Sequence, residues 1–333
     1  MNIYDISQKA GVSIATVSRV INGNTNVSEK TRQKVMAIIE QYDYTPNAFA
    51  RGLGLNTMQT IGILCADSSD PYLASAIFYL EQMLHKEQYD SLLCCTGYDQ
   101  ADKEKYLNLL LSKKVDSVIL VGSNFVETEE EKNQYIIEAA KTIPIMLLNG
   151  AIDAPNIYSS LCDDYHATFQ VTQQLLQSDH KQILYLYNSN SYSGKKKLKG
   201  FYDAHSSMNI KIDDSHVQYF VGDIHETRDF LINLKKKGLT FNSIITADDN
   251  LAVGAIKYAK LQGISVPDEL SIIGYNNSII ATCCDPELSS IDNKLETVCK
   301  NCVSTLMNIF SGNSVPFRSV FSAELVSRET TKF

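Results

Sequence analysis

Apolar residues recur at Ile3, Ile6 and Ala10, a helical period that stops at Gly11. Ser13 then stands as an N-cap before Ile14–Ile21, a second short period that ends at Asn22 and Gly23. Ser28 opens a third periodic stretch, with Val35, Ile38, Ile39 and Tyr42 as its inner stripe. Two short helices joined by a glycine turn make a helix-turn-helix unit. In its second helix Val17, Val20 and Ile21 face inward, which leaves Ile14, Ala15, Thr16, Ser18 and Arg19 outside.

From Thr60 the pattern changes to short apolar runs alternating with amphipathic stretches. Residues 61–65, 91–95, 117–121 and 144–148 read as buried strands, separated by helices centred near 80, 107 and 136. A second series follows at 182–187, 216–220, 243–246 and 271–275. Continuous Ile/Leu/Val strands between helices imply parallel sheets covered on both faces. The expected fold is therefore an all-α helix-turn-helix head and an α/β core of two doubly wound parallel-sheet subdomains. A ligand would sit between them, at the carboxyl ends of the strands.

Composition agrees with several compact units in one chain of 333 residues, and no apolar run nears the roughly 20 residues of a bilayer span. The start, Met1-Asn2-Ile3-Tyr4-Asp5, is neither basic nor apolar, so the expected location is cytoplasmic, with no membrane partner. Eight cysteines lie scattered in apolar stretches and read as reduced core thiols; Cys299-x-x-Cys302 has half of a metal or redox spacing but no partner pair. Net charge is −8, yet residues 1–60 carry six basic against four acidic side chains, while the remainder carries 24 against 34. A slightly basic head on an acidic body focuses nucleic-acid attraction at one end. The outer face of the second helix fits that partner: Arg19 can pair with guanine, and Ile14 and Ala15 can touch thymine methyls. A three-helix protein-interaction module has the same spacing.

Three segments resemble the LacI/GalR (lactose-repressor) family: Gly11–Asn22 (GVSIATVSRVIN), Val27–Arg32 (VSEKTR) and Tyr44–Arg51 (YTPNAFAR). The resemblance implies that Ile14, Ala15, Thr16 and Arg19 read bases in double-stranded DNA. It implies that Tyr4, Ser13, Ser18, Asn22, Ser28 and Thr31 hold phosphates, which fix register without carrying sequence information. Asn47, Ala48, Arg51 and Leu53 match a hinge helix whose leucine wedges into the minor groove. The likeness continues through Thr60–Leu64, Asp67–Tyr72, Phe241–Asp249, Val266–Tyr275 and Ser322–Thr330. It implies a periplasmic-binding-protein-like core and four parts: a head over 1–45, a hinge and linker over 46–59, an N-subdomain over 60–158 plus 293–318, and a C-subdomain over 159–290 plus 319–330.

By position, the implied effector contacts are Ser69, Tyr72, Thr96, Ser123 and Asn149 from the first subdomain. From the second come Asp163, Ser191, Ser193, Lys197, Phe220, Asp248 and Asn276. Short hydroxyls and amides suit a small polar ligand, with Tyr72 and Phe220 as stacking faces. Many sugar-binding relatives carry arginine at Lys197, aspartate at Asn276 and asparagine at Asp248. A lysine cannot grip two hydroxyls as an arginine fork does, so the expected effector is a sugar or glycoside other than the family's common hexoses. The Lys195-Lys196-Lys197 run with Lys199 also admits a phosphorylated ligand.

No catalytic constellation, metal spacing or phosphate loop occurs, so neither an enzyme nor a cofactor is expected. The overall expectation is a homodimer on a pseudo-palindromic operator, acting as an effector-controlled repressor of carbohydrate-utilisation genes. The readings left beside it are a global regulator that answers to a protein partner, and a purine- or nucleoside-type corepressor regulator.

Overall fold

A computed structural model describes residues 1–21, 26–44, 57–178, 180 and 182–332. The chain divides into two compact units, Met1–Thr60 with Lys113–Asp116, and Ile61–Ser112 with Ser117–Phe333.

In the first unit, α1 (Ile3–Ala10) starts in a capping box between Asn2 and Asp5 and ends at Gly11, whose φ of 61° needs a residue without Cβ strain. α2 (Ile14–Ile21) and α3 (Glu29–Gln41) follow, with Ser13 and Ser28 at their N-termini. Ile6, Ala10, Val17, Val20 and Val35 form the buried centre, ringed by Ile3, Val12, Ile21, Val27, Ile38, Ile39 and Tyr44. Tyr42, expected on the inner stripe, is instead exposed. It stands at the C-cap of α3, one position past the last helical turn, and its hydroxyl accepts from Lys9 Nζ at 3.1 Å. Tyr44 takes the inner place.

The second unit contains two six-stranded sheets. Sheet one has the order β11-β5-β4-β3-β1-β2, from β1 (Thr60–Cys65), β2 (Asp90–Cys95), β3 (Ser117–Val121), β4 (Ile145–Leu148), β5 (Ile157–Cys162) and β11 (Arg318–Phe321). Sheet two has the order β12-β10-β9-β8-β6-β7, from β6 (Ile183–Tyr187), β7 (Val217–Tyr219), β8 (Ser243–Thr246), β9 (Ser271–Tyr275), β10 (Ser289–Asp292) and β12 (Glu324–Val326). Pairs β1–β3, β3–β4, β4–β5, β6–β8 and β8–β9 are parallel, and β12 runs antiparallel to β10.

Helices cover the sheets: α4 (Pro71–Lys86), α5 (Gln100–Ser112) and α6 (Gln134–Ala140) belong to the first series. α7 (Asp164–Gln177), α8 (Tyr192–Ser207), α9 (Ile224–Lys236), α10 (Asp249–Gln262) and the short α11 (Ile279–Cys283) belong to the second, and α12 (Leu295–Phe310) returns to sheet one. The apolar stripe of α4 packs Leu73, Ala76, Leu80 and Leu84 into the core with Val298, Cys299, Cys302 and Val303 of α12. Both cysteines of the Cys-x-x-Cys spacing are thus buried in that packing.

The eight strands expected from apolar runs are all present, but β2 and β7 lie at sheet edges and are exposed or half-buried rather than buried. β5, β10, β11 and β12 are additional strands: serines interrupt the apolar pattern of the first three, and β12 is only three residues long. Ser159, Ser160, Ser289 and Ser290 are nonetheless buried, and the hydroxyls of Ser160, Ser289 and Ser290 find partners far along the chain. Ser160 Oγ, for example, donates to Val298 O at 2.8 Å. The expected subdomain breaks at 158/159 and 318/319 fall within β5 and β11, so both strands stay in sheet one to Cys162 and Phe321.

Candidate functional site

On the first unit, Ile14, Ala15 and Arg19 of α2 are exposed, Ala15 and Arg19 on the face opposite the fully buried Val17. Thr16 is half-buried; its Oγ1 lies 2.9 Å from Ser13 Oγ, which also accepts from Thr16 N at 3.2 Å. Ser18 is half-buried and Tyr4 exposed. Ser28 Oγ accepts from Thr31 N at 3.3 Å and sits 2.9 Å from Thr31 Oγ1. Ser13 and Ser28 thus mark two helix N-termini, where free backbone N–H groups favour anions. Asn22, Asn47, Ala48, Arg51 and Leu53 lie outside the described residues.

In the second unit, a cavity of about 600 Å³ opens between the carboxyl ends of the two sheets. Each strand end turns into a loop there, as parallel sheets require. Of the residues singled out in the sequence, Tyr72, Ser123 and Asn149 line it from the first sheet's side. Ser191, Ser193, Lys197, Asp248 and Asn276 line it from the second. The two sides already touch: Ser123 Oγ donates to Ser191 Oγ at 2.8 Å, and Ser189 Oγ donates to Asn124 Oδ1 at 3.4 Å. Lys195 Nζ also reaches Thr128 Oγ1 across the same gap.

Four expected residues do not line the cavity. Phe220 stacks on Phe230 at 4.4 Å between ring centroids, so its face is already covered. Asp163 caps α7, accepting from His166 N at 3.1 Å and lying 2.8 Å from its ring nitrogen. Ser69 turns back to Asp67, donating from its hydroxyl at 2.7 Å. Thr96 is buried, and its hydroxyl donates to Gly97 O at 2.7 Å.

Sequence reasoning missed two aromatic groups: Tyr98 and Tyr219, which line the cavity and remain exposed. Tyr219 adjoins Phe220, and strand alternation sends the two side chains to opposite faces. Choosing between neighbours needed the register of β7. Asp70, Lys103, Asn188 and Asn293 were missed as well.

The charged groups are largely occupied. Lys197 Nζ donates to Ala247 O at 3.0 Å and stands over the Tyr275 ring. Burial lowers the pKa of this ammonium, while Asp164 and Asp248 oppose the shift. Asp164 is buried beside it, accepts from Tyr275 OH at 2.5 Å, and is raised by the same loss of water. Lys103 Nζ donates to Asn124 O at 2.6 Å and pairs with Glu127 at 3.2 Å. Asp248 caps α10 through Leu251 N at 2.9 Å and accepts from Asn188 Nδ2 at 2.5 Å. Its neighbour Asp249 turns into the core, accepting from Ser278 N and from Ser290 Oγ. Asn276, at φ 99°, accepts from Asn293 Nδ2 at 3.0 Å.

Four carboxylates (Asp70, Glu127, Asp164, Asp248) therefore face two ammonium groups, Lys103 and Lys197. Of the lysine run, Lys197 alone lines the cavity. Lys195 and Lys196 are exposed, and Lys199 pairs with Asp203 at 2.5 Å. Among the described residues there is no cluster of three or more His, Cys, Asp or Glu suited to a metal, and no helix long and apolar enough to cross a membrane.

Comparison with known proteins places both units. Residues 2–47 match the family described as "Bacterial regulatory proteins, lacI family", and residues 58–326 match "Periplasmic binding proteins and sugar binding domain of LacI family". A curated HTH-type transcriptional regulator of Lachnoclostridium phytofermentans is 54% identical over 333 residues, all of both chains. Among solved structures, the lac repressor dimer bound to operator and the anti-inducer ONPF is similar with a TM-score of 0.88 and 21% identity, covering 99% of each chain. The complex of the transcriptional regulator CelR with cellobiose is similar at 0.71 and 22%, again over 99% of each. At those identities the two structures speak for the fold alone. The chain belongs to the LacI family and is a DNA-binding transcriptional regulator, with a helix-turn-helix head followed by a periplasmic-binding-protein-like effector domain.

Proposed function

We propose that this regulator is a cytoplasmic homodimer that represses carbohydrate-utilisation genes and is controlled by a small, polar, uncharged effector of the sugar or glycoside class. The observation that carries the reading is the cavity in the second unit, walled from both sheets by hydroxyls, amides and two exposed tyrosines. Its four carboxylates against two occupied ammonium groups disfavour a phosphorylated ligand, which would meet uncompensated negative charge. Tyr98 and Tyr219 offer apolar ring faces of the kind on which a sugar ring stacks. The CelR relative binds cellobiose, a neutral sugar.

Operator reading falls to Ile14, Ala15, Thr16 and Arg19, with Tyr4, Ser13, Ser18, Ser28 and Thr31 on phosphates. The effector acts by favouring one arrangement of the two subdomains, and shifts operator affinity only as far as it binds that arrangement better.

The test has two arms. Selecting genomic fragments that the purified protein retains should yield a pseudo-palindrome beside carbohydrate genes. Calorimetric titration with neutral mono- and disaccharides, the same sugars phosphorylated, and purines should then give heat only with neutral sugars. Tight binding of a sugar phosphate or a purine would overturn the effector class, and retention of no palindromic fragment would overturn the operator reading.

A further inference from the structure

We infer that Cys65 and Cys95 form a reversible disulfide that reports thiol oxidation at the base of the two segments carrying Asp70, Tyr72 and Tyr98 to the cavity. The two sulfurs lie 3.6 Å apart, on the last residues of neighbouring strands β1 and β2. Thr96 N donates to Cys65 O at 2.8 Å and Gly97 N to Ala66 O at 2.9 Å, so the backbones are already held side by side. Adjacent strands hold Cα atoms within the span a disulfide bridges, and the sulfurs need to close only to about 2.05 Å. No disulfide is present, and all eight cysteines are free.

The pair is asymmetric in a way that suits stepwise oxidation. Cys95 is exposed and Cys65 is buried. The Cys95 thiolate attacks a small-molecule disulfide RSSR, giving the mixed disulfide Cys95–S–SR and releasing one thiol, RSH. Cys65 then loses its proton and displaces the second RSH, forming the Cys65–Cys95 bond. Two protein thiols are oxidised, one RSSR is reduced, and two protons leave with the two RSH. Burial and the neighbouring Cys95 push the Cys65 thiol up to about 12. The second step is therefore slow at neutral pH and quickens about tenfold per pH unit.

Closure reaches the site through the chain that follows each cysteine. The chain leaves Cys65 for the loop that carries Asp70 and Tyr72, and it leaves Cys95 for Tyr98. Drawing the sulfurs together draws these two parts of the cavity wall together. The inference rests on the thiol geometry and is independent of the effector's identity.

The test equilibrates the full chain with oxidised and reduced glutathione at graded ratios, quenches with acid, blocks free thiols with N-ethylmaleimide and maps peptides by mass spectrometry. The expected result is loss of two of the eight reactive thiols, with a peptide pair joining Cys65 to Cys95 that disappears on reduction. Formation of that pair should accelerate as pH rises. Cys65→Ser should arrest at the glutathione mixed disulfide on Cys95, and Cys95→Ser should leave Cys65 unmodified. The inference fails if the unaltered chain stays at the mixed disulfide, or if Cys95 bonds instead to Cys94 or to a second copy.

Discussion

The Nζ of Lys197 lies 3.4 Å from the centroid of the Tyr275 ring, in the wall of the second unit's cavity. A desolvated ammonium against an aromatic face is held by the ring's quadrupole. Here the tyrosine hydroxyl also donates to Asp164, which ties ring, ammonium and carboxylate into one buried unit. Burial lowers the Lys197 pKa, and Asp164 opposes that shift without cancelling it. Between that lowered value and the ordinary lysine value of about 10.4, the unfolded chain holds a proton that the folded chain lacks. In that window the contribution of Lys197 to stability rises with pH. Urea unfolding of wild type and Lys197→Met over a series of pH values should show the wild-type advantage increasing toward pH 10. A pH-independent difference would contradict the assignment.

The Ser123–Ser191 hydrogen bond joins the two sides of the cavity at 2.8 Å. Ser191 also caps α8, its Oγ accepting from Gly194 N at 3.3 Å, so Ser123 is the cleaner position to alter. Ser123→Ala should change effector affinity by about 1 kcal/mol, roughly fivefold, and leave the melting temperature nearly unchanged. Calorimetry with a ligand that the unaltered chain binds reads the first effect and thermal scanning the second.

Gly200 of α8 lies against the backbone of α7: a Cβ there would meet Tyr165 O at 2.4 Å. Backbone cannot step aside as a side chain can. Gly200→Ala should therefore destabilise the second unit by about 1–3 kcal/mol. A chemical-denaturation midpoint equal to wild type would show that the two helices separate more easily than this packing implies.

Arg19 is exposed on α2 while Val17 and Val20 anchor the same helix in the core. Arg19→Ala should cost about 1–3 kcal/mol of operator affinity and relax preference at one base pair per half-site. Substituting Tyr4 by Phe should weaken binding to all sequences alike, because a phosphate contact carries no base information. Equal loss on specific and random duplexes for Arg19→Ala would remove it from base reading.

Much of the architecture was legible before any coordinates. The caps at Ser13 and Ser28, the glycine stop at Gly11 and the eight apolar strands are local signals, and each appears where its residues stand. The reading failed where a residue's role depends on a neighbour far along the chain. Phe220 and Tyr219 look equivalent in sequence; only pairing of β7 with β6 and the packing of Phe230 decides which ring is covered. Asp163 looked like a ligand group and is consumed by the helix it starts.

What the sequence determined by itself is therefore the order of elements and the polarity of the head against the body, because short-range periodicity and capping are written over three to seven residues. Only the tertiary structure decided which polar groups remain free to meet a ligand. That choice turns on hydrogen bonds between residues tens of positions apart, such as Asn188 with Asp248 and Ser123 with Ser191, and on the burial that brings Cys65 within 3.6 Å of Cys95. No linear pattern encodes such distances, since they arise when two sheets turn their carboxyl ends toward one cavity.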